Sequence, residues 1–135
     1  MFQAKKWVEE LGLTAHVAFD GPADTGQIAE AMASSDALIL FSNTENQPCV
    51  VLESLAVGLP VIASSVGDIP NLVSEKRGFI SPPGDVAQLA ENLKAFISQK
   101  ENFSPKEVSL GAREFFSKEA VGQKFSEAYA KVLNL

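Results

Sequence analysis

Two glutamates eight positions apart, Glu45 and Glu53, stand on either side of the turn into a nearly apolar segment, Pro48-Cys-Val-Val-Leu-Glu-Ser-Leu-Ala-Val57. Apolar residues occur all round this segment when it is wound as a helix, which predicts burial on most of its faces. Glu53 is its only charge, and a lone carboxylate in such surroundings needs a hydrogen-bonding partner from elsewhere. No cation lies within one turn on the same helix, and the hydroxyls of a ligand are one candidate partner. The start of the helix offers free N–H groups and the positive end of the helix dipole, a place for a phosphate close to Glu45.

The elements that must position these residues alternate. Ala4, Val8 and Leu11 fall at helical spacing before Gly12, and Val17-Ala-Phe19 reads as a short strand before the turn Asp20-Gly-Pro22. Asp24 with Gln27 forms a capping-box pattern for a helix carrying Ile28 and Met32. Ala37-Leu-Ile-Leu-Phe41 is a continuous apolar run, the pattern of a strand covered on both faces. Pro48 is expected at the first helical position, and Gly58 and Pro60 end that helix. Val61–Ser64 and Gly78–Ile80 read as further strands, with a helical turn near Asn71–Ser74 between them. Asp85 with Gln88 opens a helix whose stripe is Leu89, Leu93, Phe96 and Ile97, and Ser104-Pro-Lys-Glu107 opens the first of two C-terminal helices over residues 104–135. Strand alternating with helix predicts an α/β fold, a Rossmann-like three-layer sandwich with a mainly parallel sheet, and such sheets bind ligands at the carboxyl ends of their strands.

Composition narrows the class. The chain has 135 residues, 46% of them hydrophobic, enough for one domain with a real core. Its formal net charge of -6, without a basic cluster, argues against nucleic acid as a partner. The single cysteine, Cys49, excludes an internal disulfide and fits a cytoplasmic setting. Cys49 reads as a small residue at a helix start rather than a nucleophile, His16 as a turn residue, and Trp7 as a core or interface residue. No spacing of His, Cys or acids suggests a metal site.

The stretch Ser35–Ser42, then Glu45 and Glu53, then Ser54-Leu-Ala-Val-Gly-Leu-Pro-Val-Ile-Ala-Ser64 resembles the C-terminal, donor-binding domain of retaining glycosyltransferases of the GT-B fold, in the large family 4. Members carry two glutamates separated by seven residues, then a helix of small residues, Gly-x-Pro and a strand. The likeness extends to Leu11–Gly21 and to Gly78–Asp85, and so covers nearly the whole chain. It implies a hexosyltransferase that moves a sugar from a UDP-sugar or GDP-sugar to a glycan or lipid acceptor, with no obligatory metal and no other cofactor. Glu53 is then expected on the ribose hydroxyls and Glu45, as the catalytic residue, beside the donor sugar. Backbone amides at Asn46, Cys49 and Val50 would meet the diphosphate, and Phe19 and Gly21 the base. Two departures stand out: Glu45-Asn-Gln-Pro48 where many relatives have Glu-Gly-Phe-Gly, and Gly67-Asp-Ile-Pro-Asn71 in place of Gly-Gly-x-x-Glu.

The resemblance also implies a truncated domain, 1–135, lacking the N-terminal acceptor domain and the first two strands of the donor domain. The isolated chain is then expected to be inactive and, in the longer protein, to work in the cytoplasm, peripheral to the inner face of the membrane. Unfilled neighbours predict either pairing of the Val17 strand with the Ala37 strand or a homodimer through an exposed strand edge or the C-terminal helices, where Phe115, Phe116, Phe125 and Tyr129 would lack cover. The alternative function is a non-catalytic nucleotide-binding or partner module completed by another chain. A phospho-receiver domain would need clustered acids at strand ends, which this sequence does not offer.

Overall fold

A computed structural model describes residues 2–133. Three parallel strands form the sheet in the order β1 (Leu38–Leu40), β2 (Val61–Ser64), β3 (Gly78–Ser81). The register runs Leu38 to Val61 and Val61 to Gly78, so the carboxyl ends of the strands lie level. The helices are α1 (Phe2–Glu10), α2 (Thr25–Ala33), α3 (Cys49–Ala56), α4 (Ile69–Leu72), α5 (Val86–Gln99), α6 (Pro105–Phe116) and α7 (Lys118–Leu133), with a 3-10 turn at Lys100–Asn102.

All four residues of β2 are buried, as befits a strand paired on both sides and covered on both faces. Val61 and Ala63 join Val51 and Leu55 of α3, Ile69 and Leu72 of α4, and Val108 and Ala112 of α6 in the main core. Successive strand residues point to opposite faces, and α5 packs on β2 and β3 from the other side. There Phe96 and Phe79 each meet the ring of Phe103, with centroids 5.6 and 5.8 Å apart. The result is the helix–sheet–helix sandwich expected from the alternation.

Close approaches lock the layers. Gly78 has φ +148, and a Cβ there would run into the Val61 carbonyl. Gly58 (φ +86) likewise lies against the Pro105 backbone, seating the end of α3 on the start of α6. Ser109 Oγ donates to the Ala56 carbonyl at 2.8 Å, satisfying an acceptor left open at the end of α3. The Arg77 guanidinium donates to the carbonyls of Leu72 (3.0 Å) and Gly111 (2.9 Å), tying α4 to α6. The capping box at Asp24 forms in full, and Asp85 and Ser104 each accept the N–H three residues on.

Several expectations need correction. Val17–Phe19 is irregular, not a strand, because no described strand lies beside it to complete a ladder, and it does not pair with β1. Ile97 is exposed rather than packed, and Trp7, exposed too, is not a core residue. Pro48 stands one residue earlier than expected, as the N-cap of α3. The C-terminal pair behaves as anticipated in part: Phe115, Phe125 and Tyr129 are exposed, whereas Phe116 packs against the main core. No helix among the described residues is long and apolar enough to cross a membrane.

Two glycines at positive φ make a paired test of this packing. Gly78→Ala should cost about 2 kcal/mol or more, because the new methyl meets backbone between two strands. Gly84→Ala, also at positive φ (+76) but with open space around it, should cost only about 1 kcal/mol. Urea denaturation of the two variants measures the difference, and equal losses would mean that close packing at Gly78 contributes nothing.

Candidate functional site

The carboxyl ends of β1 and β2 are adjacent, so the segments leaving them meet. The first, Phe41–Pro48, carries Glu45, whose carboxylate accepts a hydrogen bond from Ser42 Oγ at 2.8 Å and is half-buried. The second, Ser65–Asp68, packs on it. Gly67 has φ +56, and a Cβ there would collide with the carbonyls of Glu45 and Asn46. The Asp68 N–H donates to the Asn46 carbonyl at 2.8 Å. Gln47 Nε2 donates to Asp68 Oδ2, and Asn71 Nδ2 to Asp68 Oδ1, both at 2.7 Å.

From this junction the chain turns into α3. Pro48 is buried, with φ −71 and ψ 117, and caps the helix without a side-chain hydrogen bond. The amides of Cys49 and Val50 come too early in the helix to find an acceptor within it, and the helix dipole adds positive potential there. Val51, Ser54 and Leu55 are buried, with Ser54 Oγ donating to the Leu59 carbonyl at 3.0 Å. Cys49, Glu53 and Ala56, spaced at helical intervals, face solvent.

This corrects the expectation for Glu53. Its helix is buried on one face only, because the core reaches it through α6, β2 and α4. Glu53 stands on the opposite face, where an unpaired carboxylate carries no desolvation cost.

The remaining predicted site residues divide. Gly21 and Val50 line one groove of about 510 Å³, together with Ile28, Met32, Leu38 and Leu59. Phe19 lies apart from it, in a separate hollow with Val8 and Val17, and Lys5 Nζ sits over its ring at 5.5 Å. Asn46, exposed, is held by its carbonyl. Glu45 and Glu53 are not among the residues lining that groove. Among the described residues no group of three or more His, Cys, Asp or Glu is placed to hold a metal ion.

Sequence reasoning did not find the Gln47–Asp68–Asn71 network. Its members are 21 and 3 residues apart, and only the sheet register brings Gln47 to Asp68. The one signal was that Asp68 and Asn71 both fall where the chain departs from its usual pattern.

The side-chain hydrogen bond from Asn71, and secondarily that from Gln47, hold the Asp68 carboxyl below the usual aspartate range. A carboxyl with a lowered folded-state value adds stability above its unfolded value and loses it as pH falls through the folded one. In a carbon-detected NMR titration, Asp68 should therefore titrate below an ordinary aspartate, with the Gln47 side-chain amide shifting at the same midpoint. Asn71→Ala should move that midpoint up further than Gln47→Ala. A midpoint in the ordinary range would sink the network.

Comparison with known proteins places these features in a family. The family model for glycosyl transferases group 1 matches residues 2–114. The chain is 33% identical over 101 residues to the sulfoquinovosyl transferase SQD2 of Arabidopsis thaliana, across 72% of this chain and 20% of that protein. It is 32% identical over 95 residues to the N-acetyl-alpha-D-glucosaminyl L-malate synthase of Bacillus anthracis, across 70% of this chain and 24% of that protein. It thus spans about a fifth to a quarter of these curated relatives. Among solved structures, sucrose-phosphate synthase from Thermosynechococcus elongatus superposes with a TM-score of 0.85 at 25% identity, over 98% of this chain and 34% of that one. Anabaena HepE, solved in complex with UDP, superposes with a TM-score of 0.81 at 27% identity, over 96% of this chain and 36% of that one. A matched stretch that takes in both glutamates, α3 and the whole sheet establishes that the chain belongs to the glycosyl transferases group 1 family.

Proposed function

We propose that this chain is the donor-binding part of a retaining hexosyltransferase, which takes a nucleoside-diphosphate sugar as donor and passes the sugar to a glycan or lipid acceptor. The observation that carries the reading is the turn from Glu45 into α3. Two helix-start amides, Cys49 and Val50, have no acceptor within the helix and lie between two carboxylates. Amide donors at a helix start suit a diphosphate, and an accessible carboxylate suits adjacent ribose hydroxyls.

In this arrangement Glu53 accepts hydrogen bonds from the ribose, the amides of Cys49 and Val50 take the diphosphate, and Glu45 stands by the sugar with Asn46 next to it. Solvent exposure of Glu53 favours the role, since its carboxylate is not engaged by any described protein cation. Gly21 and Val50 share one mostly apolar groove, which supports Gly21 as a contact for the base; Phe19 would reach the base only from outside that groove. The structure of HepE with UDP supports a uridine donor as the first to test. In this reading the acceptor is bound by a separate N-terminal domain, the groups that stabilise the leaving diphosphate lie on the first two strands of the donor domain, outside these 135 residues, and no metal is obligatory.

Titration of UDP into isotopically labelled chain, followed by NMR, tests this. The amides of Cys49 to Glu53 should shift, and Glu53→Ala should weaken binding about tenfold or more, the cost of a lost charge-assisted hydrogen bond. GDP titrated alongside reports the base. No shift with either nucleotide at millimolar concentration overturns the reading in favour of a module that serves another chain structurally.

A further inference from the structure

We infer that Asp68 is a positioning residue, a clamp that holds the Glu45–Gln47 segment in the shape the donor needs; the inference rests on the donor-site reading above. Asp68 occupies the N-cap position of α4, where an aspartate ordinarily spends its side chain on the first amides of its own helix. Here the side chain makes no capping hydrogen bond. Instead each carboxylate oxygen takes one side-chain amide: Oδ2 that of Gln47 on the neighbouring segment, Oδ1 that of Asn71 on α4 itself.

Three contacts converge on one short stretch of chain. Gly67 lies so close to the Glu45 and Asn46 carbonyls that only a glycine fits. The Asp68 N–H fixes the Asn46 carbonyl. The Asp68 carboxylate fixes Gln47, the residue before Pro48. Asn71, one turn along α4, fixes the carboxylate in turn. The residue on the near side of this anchored stretch is Glu45, and the residues just beyond it are Cys49 and Val50.

An exposed loop of polar residues ordinarily samples many conformations, and ordering it on ligand binding lowers affinity. A clamp already closed in the free protein removes part of that cost. Its effect on the ligand is indirect, since Asp68 acts through Gln47 and Asn46 on groups that would touch the donor.

The test uses two readouts on the full chain, amide hydrogen exchange without nucleotide and UDP affinity by NMR. Asp68→Ala and Gln47→Ala should each speed exchange of the backbone amide at position 68, relative to its intrinsic rate, about three- to tenfold and weaken UDP by a similar factor. The double variant should be no worse than the worse single one, as expected for one shared interaction. Asp68→Asn, which keeps one acceptor oxygen, should recover part of the affinity. The midpoint of urea denaturation separates these local effects from global loss of structure. Unchanged exchange in both single variants shows that there is no clamp. Faster exchange with unchanged UDP affinity shows that the network is structural only and overturns the positioning role. A wild-type chain that binds neither UDP nor GDP refutes the donor reading and the positioning role with it, while exchange still decides whether the clamp exists; if GDP alone binds, GDP affinity replaces UDP affinity as the second readout.

Discussion

The parallel pairing of β2 on both sides is the constraint from which the rest follows. Val61–Ser64 lie between β1 and β3 with every residue buried, and the pairing with β3 exists only because Gly78 presents no Cβ to the Val61 carbonyl. A level register sets Leu40 beside Ala63. The chain segments leaving those two ends have no choice but to meet, and the meeting point is Glu45–Gln47 against Gly67–Asp68. The site is a consequence of sheet geometry before it is a matter of particular side chains.

Helix α3 then divides its labour between two faces. Val51, Ser54 and Leu55 anchor it in the core, and Gly58 and Ser109 fix its far end against α6. Its other face presents Cys49 and Glu53 to solvent. A rigid, anchored helix with an accessible carboxylate one turn in from its free amides offers a ligand two kinds of contact at a set spacing. Because neither contact is engaged by the protein's own backbone in the free state, binding does not first have to break an internal hydrogen bond.

Much of this was legible in the sequence. β2 was read with its observed boundaries, because a continuous apolar run ended by Gly and Pro signals admits few alternatives. The capping residues Asp24, Asp85 and Ser104 marked their helices for the same reason: the signal is local and chemical. What sequence could not give was context. Val17–Phe19 has strand composition, but strands exist only through partners. The α3 segment is apolar all round, yet which face meets the core depends on where α6 and β2 lie. That error turned Glu53 from an exposed carboxylate into a supposedly buried one, although the residue singled out was the same. The Asp68 network was invisible because its partners come together only in three dimensions.

The two departures from the family pattern, at Asn46-Gln-Pro48 and at Asp68–Asn71, read as separate oddities along the chain. In space they touch. Gln47 replaces one expected residue, Asp68 and Asn71 replace two others, and each of the three supplies a partner to the hydrogen-bonded unit. A carboxylate at position 68 without amides at 47 and 71 would stand at this junction without its donors, and those amides without the carboxylate would lose their common acceptor. The physical unit is therefore the trio, and the effect of any one of its residues on the Glu45 segment has to be judged with the other two in place.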